Sequence, residues 1–102
     1  MLRSAGQKRV TGTSDDPRVT GLGASVSRLR RELAAHPAQF ADRAIAEEEL
    51  AALETMARSG VPDILPLRRS LLLVAGAIGS VSALAVSLSE VRNAVELFGS
   101  GS

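Results

Sequence analysis

The sequence predicts an all-α fold, an antiparallel helical hairpin packed on a long hydrophobic C-terminal helix. With two Phe and no Trp or Tyr in 102 residues, the core must be built from Leu, Val, Ile and Ala. That composition suits helices packed on helices. No segment alternates apolar and polar residues as a half-buried strand would. Three segments instead repeat apolar residues every three or four positions, the period of an amphipathic helix.

Residues 1–16 carry Arg3, Lys8 and Arg9 among Gly, Ser and Thr, with no apolar run that could serve as a secretory signal. They are expected to form a disordered basic tail. Residues 17–98 are expected to form a single helical domain, and 99–102, Gly-Ser-Gly-Ser, a linker or tag remnant.

The first helix is predicted to start at Asp16-Pro17, a capping residue followed by proline at the first helical position. Val19, Leu22, Val26, Leu29 and Leu33 are spaced 3, 4, 3, 4, a heptad-like seam. Gly21 and Gly23 weaken its first turns, and His36-Pro37 ends it. A second helix follows Asp42 and runs to Arg58, with Ile45, Ala46, Leu50, Leu53, Met56 and Ala57 on one face. Gly60 suits a left-handed stop with Val61 against Met56, and Pro62 prevents continuation.

Charge is laid out in blocks. Residues 1–31 hold seven basic and two acidic groups, 32–63 two and seven, and 64–102 three and two, giving +5, −5 and +1. Folding the first two helices back about Gln39 places Arg28, Arg30 and Arg31 opposite the acidic run. Salt bridges to Glu47 and Glu48 are therefore expected across the hairpin, each contributing about 0.2–1 kcal/mol.

The third segment starts after Asp63. Leu67, Leu71, Val74, Ile78, Val81, Leu84, Leu88, Val91 and Val95 keep one phase at 100° per residue. This favours a single long helix, roughly 45 Å, to Phe98. A break at Gly76, Gly79 and Ser80 is the alternative and gives a four-helix bundle. Within it, Ser70–Ser89 is uncharged and expected to be buried. Large aliphatics occupy one side; Ala75, Gly76, Gly79, Ser80, Ala83 and Ser87 occupy the other, interrupted by Leu72 and Val86. Those six small residues are the expected close-packing interface.

As a bilayer span, the run is marginal. Its nine Leu, Ile and Val give about −3 to −5 kcal/mol, opposed by five serines and two glycines.

Chemistry-bearing motifs are sparse. There is no cysteine and one histidine, His36, which excludes thiolate sites, disulfides and His-rich zinc centres. Glu47, Glu48 and Glu49 point about 100° apart on a helix and do not converge on one acid–base site. Gly21-Leu22-Gly23 lacks the preceding strand and third glycine of a dinucleotide fingerprint. The Arg28–Arg31 cluster has no interleaved aromatics, which disfavours nucleic acid as partner.

Three stretches carry a family resemblance. They are Val26-Ser27-Arg28-Leu29-Arg30-Arg31-Glu32-Leu33, the acidic Ala46–Leu53, and Leu67-Arg68-Arg69-Ser70-Leu71 leading to Gly79-Ser80-Val81-Ser82-Ala83-Leu84. Over residues 17–98 the chain resembles an uncharacterised family of short helical actinobacterial proteins of the Streptomyces type. The resemblance implies no activity.

The expected function is a non-enzymatic interaction module, self-associating or binding a helical protein, without cofactor, metal or small-molecule substrate. It is placed in the cytoplasm. The alternative is a small membrane-active protein that inserts residues 70–89.

Overall fold

The computed structural model describes residues 16–37 and 41–99, and these form four helices. The helices are α1 (Pro17–Ala35), α2 (Arg43–Arg58), α3 (Ile64–Ile78) and α4 (Ala85–Glu96), with a 3₁₀ turn at Ser82–Leu84 before α4. No strand occurs among the described residues. Apart from Asp16 and Gly99, the expected tail and linker lie outside them. Asp16 belongs to the helical unit, because its carboxylate accepts from the Arg18 backbone N–H at 2.9 Å. Gly99 closes the turn after α4, donating its N–H to the Glu96 carbonyl at 3.0 Å.

Each helix buries one stripe. Leu22, Val26, Leu29 and Leu33 come from α1, and Ala46, Leu50, Leu53 and Ala57 from α2. Leu67, Leu71, Val74 and Ile78 come from α3, and Leu88, Val91, Ala94 and Val95 from α4. The spacing within each set is three or four, so each stripe stays on one face. Together with Leu84 they form one core.

Polar contacts at the seams set the topology. On α1 and α2, Ser27 meets Glu54 and Leu33 meets Arg43, so these helices run antiparallel. Glu49 with Ser70 joins α2 to α3, and Arg68 with Glu96 joins the start of α3 to the end of α4. Glu32 with Ser87 and Arg28 with Glu90 return α4 to α1. The result is an up-down-up-down four-helix bundle.

The single long C-terminal helix is not formed. α3 stops at Ile78, Val81 is extended, and the chain re-enters a helix through the 3₁₀ turn. Shared phase does not require continuity: α3 and α4 each turn an apolar stripe of the same spacing toward the same core. A straight helix of roughly 45 Å would overhang partners of roughly 24–28 Å, leaving half its stripe in water. The break also removes the 70–89 span, and no helix among the described residues is long and apolar enough to cross a membrane.

Gly79 explains where the chain turns. Its φ is an ordinary −62°, but a Cβ there would stand 2.4 Å from the Ala75 carbonyl oxygen. Close approach, not left-handed backbone, requires glycine at this point. Gly60 is the left-handed case, with φ 82°, directly after α2.

The stop at Gly60 differs in detail from the expected one. Val61 is 78 % exposed, and its N–H donates to Ser59 Oγ at 3.3 Å. Ser59 Oγ in turn donates to the Met56 carbonyl at 2.6 Å, so the hydroxyl relays a bond that the backbone alone usually makes.

Candidate interaction surface

The arginines of α1 do not pair with Glu47 and Glu48. Arg30 reaches Glu54, which also accepts from Ser27 Oγ at 3.2 Å and lies 3.6 Å from Arg58. Arg28 turns the other way, to Glu32 at 3.2 Å and to Glu90 of α4 at 2.9 Å. Arg31 is exposed, and so is Glu48; neither enters an ion pair among the described residues. Glu47 pairs within α2 with Arg43 at 3.4 Å. The physical reason is helical phase: Arg28 and Arg30 flank buried Leu29 on opposite sides, so one faces α4 and the other α2.

Three seams share a device that the sequence did not reveal, a serine hydroxyl donating to a glutamate of the neighbouring helix. The pairs are Ser27–Glu54, Ser70–Glu49 and Ser87–Glu32. Ser70 and Ser87 are buried polar residues, and the bond offsets the cost of burying each hydroxyl. The hydroxyl of Ser87, and then Arg28, hold the Glu32 carboxyl below its usual range. A bidentate Arg68 does the same for Glu96, at 2.8 and 3.1 Å. Arg18 does so for Asp16 and also lies 4.9 Å from the centre of the Phe98 ring.

The six small residues expected to form an interface are separated by the break. Ala75 packs partly against the core, and Gly76 is exposed on α3. Gly79, Ser80 and Ala83 lie exposed around the turn, while Ser87 is buried against Glu32. They do not line one face.

What faces outward instead is a second apolar stripe on α3. Leu65, Arg69, Leu72 and Gly76 follow one another at spacings of 4, 3 and 4, on the side away from Leu67, Leu71, Val74 and Ile78. Leu65 and Leu72 are each 73 % exposed. Beside them, Leu73 and Ile45 of α2 are each 44 % exposed. Ile45, Leu72, Leu73, Gly76, Ala77 and Asp42 line an open cavity of about 210 Å³ between α2 and α3. A Cβ on Gly76 would meet nothing within 4 Å, so this glycine leaves room without a demand from its own fold. The signal was present in the sequence: Leu72 interrupted the small-residue side of the helical wheel.

A larger groove, about 420 Å³, runs between the start of α1 and the end of α2 past Thr20, Gly23 and Ser27. Its one carboxylate, Glu54, is already engaged by Ser27, Arg30 and Arg58. Among the described residues no group of three His, Cys, Asp or Glu is placed to hold a metal ion.

Fold and surface define a small all-helical bundle with an apolar outer face. The chain belongs to DUF5955, a family of unknown function, which matches residues 11–99. No curated protein and no solved structure matches it significantly.

Proposed function

We propose that this protein is a non-enzymatic helical interaction module that binds protein through the joint face of α2 and α3. One observation carries the reading: besides its buried stripe, α3 exposes three leucines on the side away from the core, and a helix that carries large apolar residues on two sides ordinarily has neighbours on both. The core occupies one side, and Leu65, Leu72 and Leu73 stand in water on the other. Large aliphatic side chains exposed together in this way mark interaction surfaces. Ile45 and the cavity at Gly76 extend it onto α2.

The test is sedimentation of the purified protein across roughly micromolar to 100 micromolar concentrations, the range in which small interfaces assemble. Association is expected, and Leu72→Glu should abolish it while the far-ultraviolet helical signal is unchanged. A strict monomer across that range would remove self-association. Association unaffected by Leu72→Glu would remove the α2/α3 face.

A further inference from the structure

We infer that the occupant of the α2/α3 face is a second copy of this chain, related by a two-fold axis parallel to the helices. The inference rests on the interaction-surface reading above and assigns its partner. The argument comes from charge. Three charged groups on this face are exposed and outside every ion pair among the described residues: Glu48 and Arg69 near its middle, and Asp42 at the start of α2, about 9 Å along the helix from Glu48. The residues next to Glu48 and Arg69 in the chain are engaged: Glu47 with Arg43, Arg68 with Glu96, and Glu49 with Ser70.

The heights of Glu48 and Arg69 are close. Glu49 and Ser70 are hydrogen-bonded across the α2/α3 seam at 2.9 Å, and Glu48 and Arg69 each lie one residue from that bond, in opposite directions because the helices are antiparallel, a separation of about 3 Å that a long arginine side chain spans. An unpaired anion and an unpaired cation therefore stand at about one level on adjacent helices, with apolar surface around them. A two-fold dimer is isologous: the same patch meets itself, so whatever residue i touches in the partner, its copy touches in return. A patch holding at its middle one charge of each sign, side by side, is self-complementary under one such operation. The axis runs in the groove between α2 and α3, laying α3 of the second copy over α2 of the first without changing height. Arg69 then faces Glu48 of the partner subunit, and Glu48 faces the partner's Arg69.

The same operation treats the apolar residues consistently. The two copies of the cavity at Ile45, Leu72, Leu73 and Gly76 border the axis, and with α3 of one copy over α2 of the other, Leu73 meets the partner's Ile45 at a similar height. An axis across the helices is disfavoured, because it lays α2 over α2 and brings the two Glu48 side chains together. With helices of roughly 22–24 Å the face is at the small end for a specific interface, so the dimer is expected to be micromolar and weakened by salt.

Charge reversal tests the pairing, since Glu48 and Arg69 are exposed and their replacement leaves the core untouched. Arg69→Glu alone and Glu48→Arg alone should each weaken homodimerisation tenfold or more in sedimentation equilibrium. The double variant should restore it. An equimolar mixture of the two single variants should also dimerise, because a heterodimer of them re-forms both ion pairs, one with its native polarity and one reversed. If association is sensitive to Leu72→Glu but not to either reversal, the two-fold pairing is overturned while the interaction face stands. Loss in the single variants with no rescue in the double or the mixture overturns the pairing as well. A wild-type monomer at 100 micromolar overturns the pairing and self-association with it.

Discussion

Gly76 and Gly79, three residues apart, are expected to respond to the same substitution with opposite signs. A methyl on Gly76 meets nothing within 4 Å, so Gly76→Ala should raise stability by about 0.5–1 kcal/mol through the helix preference of alanine. A methyl on Gly79 would lie 2.4 Å from the Ala75 carbonyl oxygen, and the backbone must move to admit it. Gly79→Ala should therefore destabilise, by roughly 1–3 kcal/mol as overpacking does. Urea denaturation of the two variants beside the parent checks both signs. Both glycines read alike in the sequence, as small residues on one side of a wheel. Only the turn at Gly79 tells them apart, and that turn depends on where α3 finds its neighbours.

Among the elements, the end of α1 shows how one helix completes another. The last carbonyls of a helix have no partner within it. Here Arg43, the first residue of α2, donates to the His36 carbonyl at 2.9 Å and to the Leu33 carbonyl. The His36 backbone N–H also donates to the Leu33 carbonyl, at 3.1 Å, so the guanidinium shares that acceptor with the cap. Arg43→Ala should cost about 1.5–3 kcal/mol, the range for hydrogen bonds to charged groups. Arg43→Lys should recover only part, since an ammonium lacks the fork that spans two carbonyls. Thermal unfolding of the three proteins measures the difference. The boundaries of α1 and α2 were legible because local signals set them, Asp16-Pro17 at one end and Gly60 with Pro62 at the other. The role of Arg43 was not, since its acceptors lie seven and ten residues back across a turn.

In the whole molecule, a glutamate joins every pair of adjacent helices: Glu54 for α1 and α2, Glu49 for α2 and α3, Glu96 for α3 and α4, Glu32 and Glu90 for α4 and α1. Glu32, Glu96 and Asp16 have carboxyl groups held below their usual values by hydrogen bonds and arginines. A group depressed on folding contributes stability above its unfolded value, near pH 4 to 4.5, and loses it as pH falls through the folded value. The bundle should be flat in stability around neutral pH and weaken below about pH 4.5. Glu96→Gln should lower stability at neutral pH and flatten that acid limb, as read by urea midpoints from pH 7 to pH 3.

The all-α class and most of the buried apolar positions were legible because periodicity is local, although Ile45, expected on the packed face of α2, is 44 % exposed and the last stripe is divided between α3 and α4. Ring closure and the identity of the salt bridges were not, because they depend on which side of each stripe meets which neighbour. Arg18 against the Phe98 ring shows the last consequence of that closure. An even number of antiparallel helices brings α1's first turn and the residues after α4 to the same pole. The first and last residues of the helical unit therefore stand at one pole. Those two ends are close enough to be bridged without stretching the bundle, and the α2/α3 face lies along its side.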